Sequence, residues 1–119
     1  MPKYLLILRG AAATGQHQSP VELQQLTARF EAWAGRLMAE GRLIDGTQLA
    51  PGEGRVLAAT GGHVQASGGP YGAPEQRIAG LHLLQADDYE HAVSLCMDHP
   101  ELSTGGSVEI RRLDSMAQQ

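Results

Sequence analysis

The chain has 119 residues, 42% of them apolar and 18% charged, enough for one domain with a hydrophobic core and too few for two. Nine basic against thirteen acidic residues leave a net charge of −4, without the basic footprint of a nucleic-acid binder. A single cysteine, Cys96, excludes an internal disulfide framework and a cysteine-rich zinc site, and no apolar run approaches the roughly 20 residues of a membrane span.

Tyr4 to Leu8 is a short, nearly continuous apolar run, which suits a central strand buried on both faces. It is too short, and lacks the small-residue cleavage site, for a secretory leader, so a cytoplasmic protein is expected. Gly10 to Gln18 reads as a loop. Ser19, Pro20 and Glu22 form a helix start: a capping hydroxyl, a first residue with no amide to satisfy, and a capping-box carboxylate. Leu23, Leu26, Phe30, Trp33 and Leu37 then recur at helical spacing, with Ala34 and Met38 widening the stripe, and Gly41 ends it.

Leu43 to Leu49 reads as a strand, with Gly46 marking a bulge or a close backbone approach. Arg55 to Thr60 and His63 to Ala66 flank Gly61-Gly62 and predict a hairpin. Ser67 to Ala73 is loop, and Ile78 to Leu84 is another apolar strand. Asp87 is the expected cap of a second helix whose stripe is Tyr89, Ala92, Val93 and Cys96, ended by Pro100. Ser107 to Arg111 closes the fold as a strand, with Val108 and Ile110 on one face and Glu109 and Arg111 on the other. The order β-α-β-β-β-β-α-β predicts a single α+β domain over residues 1–113, a ferredoxin-like α/β sandwich with a frayed tail over 114–119. Two helices cover one face of a sheet. The other face needs a partner, and a second copy of the chain is the simplest one.

Several segments, taken in order, are similar to one known family. Lys3-Tyr4-Leu5-Leu6 resembles its opening strand. Gly41-Arg42-Leu43 with Gly46, Leu49 and Pro51 resembles its second. Gly68-Gly69-Pro70-Tyr71 stands where its signature falls, with Ile78-Ala79-Gly80-Leu81 at the expected distance beyond. His99-Pro100 and Gly105-Gly106-Ser107-Val108-Glu109-Ile110-Arg111 resemble its closing segment. The chain thus resembles the YCII-related family, in the branch named after the Asp-Gly-Pro-Phe (DGPF) motif. The resemblance implies a ferredoxin-like fold that dimerises through its sheets into a dimeric α+β barrel. It also implies an acid/base His–Asp pair in some branches, and sigma factors of the extracytoplasmic-function type as partners of some members. The signature aspartate is Gly68 here, so a mechanism that uses that carboxylate cannot operate. Gly69-Pro70 keeps the turn that presents Tyr71.

Among candidate groups, His82 lies inside the strand Ile78–Leu84, on the face it shares with Gly80 and Leu84. If that face lines a dimer cavity, His82 is a polar group in apolar surroundings and an acid/base near neutrality, with Asp45 on a neighbouring strand as its partner. The other reading of each is structural: a hydrogen-bonded sheet histidine and a solvated carboxylate. Arg9, Tyr71 and Arg111 are candidate ligand contacts, with Arg112 beside the last; each also reads as surface charge or loop packing. His17, His63, His82, His91 and His99 show no zinc-helix spacing, so no metal is expected, and Cys96 reads as a buried structural thiol. The glycine pairs lack a phosphate loop's Lys-Ser/Thr, and no Gly-x-Ser-x-Gly elbow occurs, so no cofactor is implied. The expected function is a homodimeric small-molecule-binding protein. The alternatives are a lyase or isomerase using His82 and an interaction partner of a sigma-type transcription factor; nucleic acid and membrane are not expected partners.

Overall fold

The computed structural model describes residues 1–10 and 19–114. Most of the predicted loop before Ser19, including His17, and the tail beyond Asp114 lie outside the described residues. The elements follow the predicted order: β1 (Lys3–Arg9), α1 (Pro20–Ala39), β2 (Leu43–Gln48), β3 (Arg55–Thr60), β4 (His63–Gly68), β5 (Ile78–Gln85), α2 (Tyr89–Cys96) and β6 (Ser107–Arg112). Single 3-10 turns occupy Pro74–Gln76 and Pro100–Thr104.

Four strands form a sheet in the order β2-β5-β1-β6, and β3 and β4 form a separate two-stranded sheet. Every pairing is antiparallel. Since β1 and β2 both run against β5, which lies between them, β1-α1-β2 is a split βαβ unit. The result is an α+β architecture with two helices and antiparallel sheets, compatible with a ferredoxin-like arrangement. No helix of the described residues is long and apolar enough to cross a membrane.

Local chemistry sets the boundaries. Ser19 Oγ accepts the Glu22 amide at 3.1 Å, and Pro20 opens α1. Gly41, at φ +72°, ends it: the Gly41 and Arg42 amides donate back to the Met38 and Leu37 carbonyls. Gly61 and Gly62 both have positive φ, as a two-residue hairpin turn of the right hand requires. The cap of α2 is Asp88 rather than Asp87: its carboxylate accepts the His91 amide at 2.8 Å, three residues on, where a cap must reach. The Asp87 amide donates instead to His91 Nδ1. Replacing Asp88 by alanine is expected to cost about 1 kcal/mol in denaturant unfolding, and Asp87→Ala distinctly less. A larger loss for Asp87→Ala would return the cap to Asp87.

The core lies between the helices and one face of the four-stranded sheet. Tyr4, Leu6 and Leu8 of β1 and Leu84 of β5 meet Trp33 and Leu37 of α1 and Ala92 and Cys96 of α2. Tyr89 stands edge-on to Tyr4 at 5.0 Å, and its hydroxyl accepts the Arg112 amide. The predicted stripes are wider than the buried ones. Leu23 at one end of α1 and Met38 on its flank are at least half exposed, and Tyr89 and Val93 nearly so. A 20-residue helix is about 30 Å long and the strands beneath it about 20 Å, so its first turns overshoot the sheet. The opposite face carries Leu5, Ile7, Leu81 and Leu83, all partly exposed, and no described helix covers it. The hairpin leaves Leu57 and Val64 about 70% exposed.

Candidate functional site

His82 occupies the middle of β5, opposite Leu6 on one side and Gly46 on the other. Gly80 and Leu84 share its face, as alternation predicts. That face is the one the helices cover. The condition set for an acid/base role, that this face lines a cavity between copies, is not met, and the structural reading applies: the imidazole is a core group, stacked on Trp33 with centroids 5.4 Å apart and planes at 20°. Gly46 is what makes room for it, since a Cβ at that position would meet the His82 ring. The close approach read from Gly46 is this one, and β2 also carries the bulge, between Leu43 and Asp45.

His99, which opens the 3-10 turn Pro100–Thr104, completes a cluster that the sequence reading missed. Its ring lies edge-on to Trp33 at 4.4 Å and to Phe30 at 5.4 Å, and 5.5 Å from the His82 ring. The Glu101 amide donates to His99 Nδ1 at 3.0 Å, so the neutral ring carries its proton on Nε2. His99 Nε2 and His82 Nδ1 are both buried and find no hydrogen-bond partner among the described residues. Burial lowers the pKa of both rings; His99, with His82 beside it and Asp98 partly opposing, falls to about 4. Both are neutral at pH 7. The Glu101 side chain is buried over Gly10 and Gly106, where added Cβ atoms would strike it, and burial raises its pKa.

Outside this cluster a cleft of about 470 Å³ opens between α1 and the 97–104 segment. Trp33 and His99 line its inner wall, and Arg29, Arg36 and Asp98 line it nearer solvent. Arg36 and Asp98 pair at 2.8 Å. Arg29, Ala32, Trp33 and Arg36 stand at i, i+3, i+4 and i+7, a helical stripe of two guanidinium groups around one indole, and that spacing was the available signal.

The remaining predicted residues lie elsewhere. Asp45 does not meet His82. It is opposite Leu83, so it lies on the other face of the sheet, and its carboxylate accepts the neighbouring Gly46 amide. Arg9 and Arg111 do come together on that open face, through Glu109: Arg9 pairs with it at 2.7 Å and Arg111 at 3.5 Å. The Arg9 hydrogen bond is the main cause of the lowered Glu109 pKa. Arg9 Nε also donates to the Gln76 carbonyl. Tyr71 is exposed, beyond the cis Gly69–Pro70 bond. Cys96 is buried in the core, and burial with Asp98 nearby pushes its thiol up to about 12. No set of three or more potential metal ligands gathers among the described residues. No family model matches the chain, and no curated protein matches it.

Proposed function

We propose that this chain is a small-molecule-binding module of the ferredoxin-like, YCII-related kind, that it works as a homodimer, and that its ligand is a small organic acid with a flat apolar part. The observation that carries this is the cleft beside α1. Its volume suits a small metabolite. Arg29, outside the Arg36–Asp98 pair, offers charge-assisted hydrogen bonds to a carboxylate, and the indole and the neutral imidazole close the inner end of the cleft. The partly exposed apolar centre of the open sheet face supports the homodimer, which in this reading closes a dimeric α+β barrel.

Benzoate is a suitable probe, with benzyl alcohol as its uncharged counterpart. Benzoate is expected to raise the melting temperature and the alcohol not to. Arg29→Ala, at an exposed helical position, is expected to weaken benzoate binding about tenfold in calorimetry while leaving the fold intact. Equal responses to acid and alcohol, or an Arg29 variant that binds as well as the original, would count against the cleft as the site.

A further inference from the structure

The register of the four-stranded sheet places Asp45, Leu83, Leu5 and Arg111 in one row across the open face, one residue from each strand. The next row is Thr47, Leu81, Ile7 and Glu109. The first row has a carboxylate at one edge, two leucines in the middle and a guanidinium at the other edge. Three strand spacings, about 14 Å, separate its ends, so Asp45 and Arg111 of one chain cannot pair. Arg9 is closer to Glu109 than Arg111 is, which leaves Arg111 as the weakly held cation of the trio.

Such a row is complementary to itself. A two-fold axis parallel to the strands, lying between two facing sheets, exchanges the two ends of every row. In the first row leucines then cover leucines, and the Asp45 end of each copy faces the Arg111 end of the other. Sheets pack about 10 Å apart, a gap that a guanidinium on its extended stem and a short carboxylate together span. An in-plane axis perpendicular to the strands would instead set β2 against β2 and β6 against β6 and, where it passes through the first row, Asp45 against Asp45 and Arg111 against Arg111.

We infer that Asp45 of each copy pairs with Arg111 of the other across the two facing sheets. The inference rests on the homodimer proposed above and specifies its axis and its contacts. Thr47 of one copy then faces Glu109 of the other, hydroxyl against carboxylate. The arrangement closes on itself and leaves no sticky face for a third copy.

The test uses Asp45→Arg and Arg111→Asp, both at exposed positions. Sedimentation and native mass spectrometry of the unaltered chain are expected to show a dimer that weakens with salt. Each single variant sets like charges together twice, and its dimer dissociation constant is expected to rise at least about tenfold. Mixed in equal amounts, the two variants restore both opposite-charge pairs and are expected to form a 1:1 heterodimer. Circular dichroism of each variant confirms its fold. An unaltered chain that is monomeric overturns the homodimer itself. A dimeric chain whose single variants dimerise equally well, or whose folded variants form no heterodimer on mixing, overturns only the paired edges.

Discussion

Lowering the pH from 7 to 4.5 is expected to remove roughly 2–3 kcal/mol of unfolding free energy, most of it through His99. The ring's pKa is near 6.5 in the unfolded chain and about 4 in the folded one, where it is buried beside His82. Between those values the unfolded state binds the proton and the folded state refuses it. The stability is therefore full above pH 6.5, falls as pH drops towards 4, and levels off below that. Protonation has a local cost as well, since Nδ1 accepts the Glu101 amide and would have to give up that bond. His82, also lowered by burial, adds to the same trend. Glu101 opposes it: its raised pKa makes its buried charge unfavourable at neutral pH and relieves that on acidification. Glu109, held below the usual carboxylate range by its hydrogen bond to Arg9, also loses its share as the pH falls, and three groups against one leave the fall dominant. Urea unfolding at several pH values measures it, and His99→Asn, whose amide oxygen can still accept from Glu101, is expected to flatten the slope. A stability that is level or rises between pH 7 and 4.5 would contradict the neutral pair.

Trp33→Ala is expected to be the most damaging single substitution at the site, at about 3–5 kcal/mol. The indole is 3% exposed, stacks on His82, meets His99 edge-on and donates its N–H to the Leu95 carbonyl at 3.2 Å. It joins α1, β5, α2 and the turn after α2 through one side chain. Its removal leaves a void against two histidines and one unpaired carbonyl. Water admitted there would also let both rings titrate nearer their ordinary range, so the variant's pH dependence is expected to shrink together with its stability. Trp33→Phe keeps most of the packing and is expected to cost roughly 1–2 kcal/mol. Because Trp33 is the chain's only tryptophan, circular dichroism rather than fluorescence should follow the unfolding. A loss below 1 kcal/mol for the alanine variant would mean that the cluster collapses without penalty.

Local patterns in the sequence carried the elements well, because each rests on a few adjacent residues: the apolar run of β1, the Ser19-Pro20 start of α1, the Gly61-Gly62 turn. The site depended on non-local facts. Counting alternate residues from Leu43 turns Asp45 inward, towards His82. The bulge before Asp45 inserts one residue and reverses the count, so Gly46 faces inward and Asp45 faces the open side. The sequence marks the bulge through Gly46 but does not say on which side of Asp45 the extra residue falls. His99 comes to within 5.5 Å of His82 only because the chain passes through α2 and back, and no spacing records that. The overhanging first turns of α1 are likewise invisible, since a helical stripe does not reveal the length of the sheet it will meet.

The strand order has a consequence for how the molecule is made. β1 is a central strand, yet both its neighbours are synthesised long after it: Lys3 pairs with Gln85, and Tyr4 with Arg112. At roughly 5–20 residues per second, Tyr4 to Leu8 waits on the order of 5–20 s with both edges unpaired. Through that interval the most apolar strand of the chain is open to other nascent copies and to chaperones. The sheet closes only when β6 has emerged from the ribosome.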